Sequence, residues 1–213
     1  MTIPPVYRRH SLLKRNAGLT RSQFSAHYEG FHGPLAANLA GFRKFATTYL
    51  QNHVEPSSDA QDTPFDGVTM TTQTPRHDYT RGFFNDPDYE KVKADELYLF
   101  DIGTTVSVLG REDLAKEGPR TRWKALLLGS GSPDLPATAG RVVLNHLDVN
   151  TASALGFGGS AFDFEYLAEL WFESESDRAT SVETADPGHV VLPVREITIY
   201  SPDKPWNAAN SEE

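Results

Sequence analysis

A chain that carries one short pattern twice has to build one structural unit twice, and this constrains the present sequence more than any other feature. Asn52-His53-Val54 returns 93 residues later as Asn145-His146-Leu147. Asp78 returns at Asp177, 99 residues on, and Ser11-Leu12-Leu13 at Ala125-Leu126-Leu127, 114 residues on. The offset falls from 114 to 93, so the second copy lacks about 21 residues, the length of a helix with its turn. Gly129 to Gly140 (GSGSPDLPATAG) stands in their place and reads as loop.

Within the first copy, Val6 to Arg15 reads as a strand with polar positions along one face. Thr20 and Gln23 have the spacing of a capping box, with the hydroxyl and the amide each satisfying a free first-turn N–H. The helix that follows sets Phe24, Tyr28, Phe31, Leu35 and Leu39 on one face, and Gly33-Pro34 is expected to break or kink it. Phe42 to Val54 and Phe65 to Thr72 read as strands around a polar loop. Arg76 to about Val92 reads as a helix complicated by Asp86-Pro87-Asp88, and Thr104 to Leu109 as a strand. The order β-α-β-β-α-β is that of a ferredoxin-like unit. The second copy supplies strands at Trp123 to Leu128, Arg141 to Val149, Glu165 to Phe172 and within Val190 to Tyr200, with a short helix from Ser176 to about Ala185. The expected architecture is α+β, with one half over 1–112, a shortened second half over 113–202 and a polar tail over 203–213.

Twenty Lys and Arg stand against 29 Asp and Glu, a formal charge of −9. That disfavours non-specific nucleic-acid binding and anionic membranes, which need a basic footprint. Cysteine is absent, which removes disulfides, thiolate metal sites and cysteine nucleophiles. No apolar run reaches the length of a membrane span, and Met1 to Arg15 has no signal-peptide core. A soluble, cytoplasmic protein is the expectation.

The stretch RNAGLTRSQFSAHYEGFHGPLAANLAGFRKFATTYLQNHV resembles the opening of EthD-type proteins. Arg15, Gly18-Leu19-Thr20, Phe24, Tyr28, His32-Gly33-Pro34-Leu35 and Asn52-His53-Val54 carry the likeness, with Phe65 to Val68 (FDGV) matching the next strand. Ala168 to Ser174 (AELWFES) is similar to that strand in a fuller form. The resemblance implies a pseudo-symmetric dimeric α+β barrel, two ferredoxin-like sheets facing each other within one chain. The absent second His-Gly-Pro helix favours one main site, in or beside the first half. In chemistry the resemblance implies either accessory proteins of degradation clusters or cofactor-free decarboxylases, dehydratases and cyclases of aromatic polyketide pathways.

His32 is the first catalytic candidate, as a group that titrates near neutrality, or else a cap for backbone freed by the break. Tyr28 sits one turn earlier, as an orienting phenol or an ordinary core aromatic. His53 and His146 occupy matching strand ends, as ligand-binding groups or as histidines tied to a loop. Arg8 and His10 share one face of the first strand, and Arg9 shares the other with Ser11. Parity leaves open which of them looks into the barrel. Tyr49 joins His10, Arg9, His146 and Asp66 as candidate substrate contacts, Asp66 being either the orienter of a histidine or a turn residue. No His-x-His, His-x-x-His or His-x-x-x-His pair preorganises a metal, so no metal or cofactor is expected. Gly156 to Ser160 lacks the lysine of a phosphate loop. Trp171-Phe172 is expected in the core, and Glu169 to Glu183 as a solvated face.

The sequence therefore points to a cofactor-free lyase or isomerase acting on an aromatic or polyketide-derived small molecule, with a homodimer possible. The alternatives are a non-catalytic carrier of a hydrophobic metabolite and, third, haem or oxygen chemistry.

Overall fold

A computed structural model of the chain describes residues 6–55, 62–73, 82–151 and 162–207. Eight antiparallel strands close into one barrel in the order β1-β3-β2-β8-β5-β7-β6-β4. They are β1 (Tyr7–Leu13), β2 (Ala46–Val54), β3 (Gly67–Gln73), β4 (Val106–Lys116), β5 (Trp123–Gly129), β6 (Arg141–Asp148), β7 (Tyr166–Phe172) and β8 (Val190–Tyr200). Five helices accompany them: α1 (Arg21–His27), α2 (Gly33–Asn38), α3 (Ala40–Phe45), α4 (Tyr89–Leu99) and α5 (Glu175–Glu183).

This corrects the expected dimeric α+β barrel of two ferredoxin-like halves. Hydrogen bonding is continuous around one sheet, because β2 pairs with β8 (Leu50 opposite Thr198) and β4 with β6 (Gly110 opposite Leu147). Closure leaves no free sheet edge. The helical layer is also sparse among the described residues: α1 to α4 precede β4, and α5 alone follows it. The outer face of β5, β6 and β7 is instead packed by Leu135 and Ala139 from the Ser130–Gly140 loop.

The internal repeat survives as matched positions. Asn52 donates to the carbonyl of its cross-strand neighbour Val68 at 3.2 Å, and Asn145 to that of Leu167 at 3.3 Å. Element bounds shift in three places. Phe42 lies in α3, so β2 begins at Ala46. β4 runs on through the charged stretch to Lys116. The expected second helix becomes a 3-10 turn (Gly82–Asn85) followed by α4. Asp78, residues 74–81 and Gly156 to Ser160 lie outside the described residues. The Thr20–Gln23 capping box forms as expected.

Alternation along each strand sorts the two faces. Leu12, Leu50, Val68, Met70, Val108, Leu126, Leu128, Leu167 and Leu192 fill the barrel interior. On the same inward face lies a buried charge cluster. Glu169 is fully buried and bonds Arg8 and Lys124 at 2.7 Å each, so the expectation that it lies on a solvated face is overturned. Lys124 also contacts Glu196 and donates to Asn52 Oδ1 at 3.0 Å, and Arg8 meets Glu112 at 2.6 Å. Trp171 and Phe172 are core, as expected.

Removing one partner from a buried ion network leaves uncompensated charge, which costs about 3–5 kcal/mol. Glu169→Leu strips Arg8 and Lys124 of their one fully buried counter-ion, so chemical denaturation should show a loss of that order. Wild-type stability in the variant would contradict the account.

His10 lies in the same interior, fully buried, beside Asn145 and the Glu169 ion network. A Cβ on Gly110 would stand 3.0 Å from its ring, so glycine here gives the ring room beside β4. Burial holds His10 neutral, its pKa brought down from 6.5 to about 3. The unfolded residue takes its proton at a higher pH than the folded one. Its contribution is therefore complete above pH 6.5 and lost as pH falls toward 3. His10→Leu should flatten the decline of unfolding free energy across that window; an unchanged slope would refute this.

Candidate functional site

The helical segment from Arg21 to Asn38 does not break at Gly33-Pro34, contrary to expectation. It widens into a π turn over Tyr28–His32, with Gly33 N–H bonding Tyr28 O and Pro34 opening α2. Proline has no N–H and its ring crowds the carbonyl four residues back, and a wider turn accommodates both. Gln51 secures the opened region by donating to Tyr28 O at 2.7 Å. A Cβ on Gly33 would come within 3.0 Å of Gln51 and Ile199, so glycine lets the turn approach the sheet.

The π turn has a chemical consequence. Residues five apart diverge around an α-helix, but the wider turn brings His27 and His32 to one side. Both then reach Asp95 on α4, His27 Nε2 at 2.6 Å from Oδ1 and His32 Nδ1 at 2.8 Å from Oδ2. Burial raises the Asp95 pKa, but the hydrogen bonds from the two histidines outweigh it and bring the carboxyl below its ordinary value. An ionised carboxylate only accepts, so His32 Nδ1 carries a proton, and in the neutral ring the lone pair lies on Nε2. Among the described residues nothing bonds Nε2, and His32 lines a cleft.

That cleft lies outside the barrel, between the outer face of β1–β3 and the helices, and encloses about 660 Å³ with its open mouth included. Phe42, Phe45, Phe83, Phe84, Phe100 and Tyr49 form aromatic walls. Arg9, Ser11, Thr69, Thr71 and Gln73 form a polar floor, and Glu96 enters from α4. The Arg9 guanidinium sits 4.8 Å from the centroid of the Phe84 ring. Burial lowers its pKa to about 10, which leaves it cationic at neutral pH. Glu96 accepts from the Tyr89 hydroxyl at 2.7 Å, and burial raises its pKa above the ordinary carboxyl value.

Of the sequence candidates, the structure brings His32, Arg9 and Tyr49 to this cleft. Tyr28 lies behind it, stacked on Phe24 and bonded to Thr69 at 2.5 Å, and does not line it. His53 packs against Tyr28 and is held by Ser25 at 2.7 Å; burial, then Arg195, lowers its pKa to about 4. His10 points the other way, into the barrel. His146 is exposed, beside Tyr7, Arg111 and Asp148. Asp66 orients no histidine: it accepts from Arg15 N at 3.1 Å and Arg21 Nε at 3.2 Å, pinning the turn before α1 to the sheet.

Sequence reasoning missed Asp95 and Glu96. Tyr89, Val92, Glu96 and Leu99 recur at helical spacing, and Glu96 is a charge on that otherwise apolar stripe, which was the available signal. Among the described residues no cluster of three or more His, Asp or Glu side chains could hold a metal, and no helix is long and apolar enough to cross a membrane.

Residues 16–103 match the EthD domain family, which bears out the resemblance seen in that part of the sequence. The match spans every cleft residue from His32 to Phe100 and leaves β1 with Arg9 outside it. No curated protein sequence matches the chain. Solved structures similar to it include a protein described as a putative monooxygenase from Fusobacterium nucleatum (TM-score 0.47, 10% identity, 94% of each chain). Another, described in the same words, comes from Lactobacillus acidophilus (TM-score 0.45, 6% identity, 93% of this chain and 95% of the other).

Asp95→Ala removes the acceptor that fixes the His32 tautomer. Nitrogen-15 spectra of the variant should show the proton shared between Nδ1 and Nε2, where the wild type holds it at Nδ1. Identical spectra would contradict the assignment.

Proposed function

We propose that the protein is a cofactor-free enzyme of the lyase or isomerase type acting on an aromatic or polyketide-derived small molecule. The observation that carries this reading is His32 lining an aromatic-walled cleft with its Nδ1 bonded to the Asp95 carboxylate at 2.8 Å. Planar aromatic walls fit planar aromatic substrates. A fixed imidazole with an ionised carboxylate behind it suits proton abstraction, because the carboxylate stabilises the imidazolium that forms. The Arg9 cation offers charge to an enolate or phenolate oxygen. His32 thus keeps its expected place as the acid/base group. Tyr28 and His53 support the turn that carries it and do not touch the substrate.

The test is exchange of the protons next to the carbonyl of 2-tetralone, an enolisable aryl ketone, in deuterated buffer. The wild type should accelerate exchange, and His32→Ala should reduce the rate by about 10²–10⁴. An unaffected variant would remove His32 from the mechanism. Tight binding of the ketone with no exchange would favour the non-catalytic carrier instead.

A further inference from the structure

We infer that Glu96 is a second catalytic group of this cleft, a proton donor that works opposite His32, and that the substrates are enolisable aryl ketones. The inference rests on the proposed proton-transfer reading of the site. Three observations support it. Glu96 is buried and lines the same cleft as His32, although it sits one residue after Asp95 and could have pointed to solvent. Its Oε2 accepts from Tyr89 at 2.7 Å, while Oε1 bonds to no described residue. No cation pairs with it among the described residues, unlike Glu169, which has both Arg8 and Lys124.

A buried carboxyl with one hydrogen bond and no cation favours its protonated form. The titratable groups that act on it are Tyr89, Lys93 and Asp95 of α4 and His32 of the π turn, with Tyr49 of β2 and Arg9 of β1 in the same cleft. Burial is the strongest influence and raises its pKa; His32 opposes it. Asp95 and Glu96 are thus adjacent carboxyls shifted in opposite directions, Asp95 below its ordinary pKa by its bonds to two histidines and Glu96 above it by burial. Environments that separate like groups in this way mark acid and base assignments.

The step balances without a co-reactant. His32 Nε2 takes the proton from the carbon beside the carbonyl. The C–H electron pair becomes the enol C=C bond, and the carbonyl π pair takes the proton from Glu96 Oε1. The site is left with imidazolium beside Asp95 and carboxylate at Glu96. The imidazolium exchanges its Nε2 proton with solvent, and return of the enol to ketone then passes that proton to carbon and the hydroxyl proton back to Glu96, restoring both groups.

Two measurements on the full-length protein test this. In tetralone exchange, Glu96→Gln preserves size and a neutral donor but cannot transfer a proton, so the rate should fall at least about 100-fold. The wild-type rate should also decline as pH rises through the Glu96 titration, and the variant should lose that limb. Infrared difference spectra provide a readout independent of turnover. The wild type should show a protonated-carboxyl band above the ordinary glutamate range that Glu96→Gln removes. Tyr89→Phe, which deletes a hydrogen bond favouring the carboxylate, should carry that band to higher pH. Absence of the band, or exchange at the wild-type rate in Glu96→Gln, overturns the role of Glu96. No exchange by the wild type, with the band present, overturns the proton-transfer reading instead.

Discussion

The buried carboxylate of Glu169 ties this barrel together from within. It sits on β7 and binds Lys124 of β5 and Arg8 of β1. Through those cations it reaches Glu196 of β8 and Glu112 of β4. Strands from both copies of the repeat therefore share one ion network, away from water, where an unmatched charge is costly. Such a network fixes register, because a slip of one residue would turn each of these charges to the opposite face.

Register then decides what lies outside. With Arg8, His10 and Leu12 committed to the interior, Arg9, Ser11 and Leu13 face the helices and supply the floor of the cleft. The interior is filled by side chains, so the space for a ligand is between sheet and helices. The π turn completes the arrangement by presenting two histidines to one aspartate. The outcome is one imidazole bonded to a carboxylate and one buried carboxyl with a raised pKa against aromatic walls.

Much of this was legible in the sequence. The Thr20–Gln23 box, the core pair Trp171-Phe172 and the matched Asn52 and Asn145 follow from local spacing. His32 was found because Gly33-Pro34 drew attention to it, though the chain answers that dipeptide by widening its helix. The closed single sheet was not legible, since pairing between β2 and β8 or β4 and β6 leaves no local mark. Nor was the inward face of β1, where arginine and leucine occur on both parities. Glu169 was misread because it opens a run of acids; its neighbours Leu167, Ala168, Leu170 and Trp171 already placed it in a strand buried on both faces. Asp95 and Glu96 were passed over because the helix was ended at Val92, before the stripe that exposes Glu96 as an exception.

The central claim is that the cleft over β1–β3, and not the barrel interior, is where substrate meets His32. Histidine-selective nitrogen-15 spectra recorded during titration with 2-tetralone test it most directly. The account predicts that His32 Nε2 shifts with ligand while His10, sealed in the barrel, and His146, outside the cleft lining, stay unchanged. A response at His10 with His32 silent would contradict it.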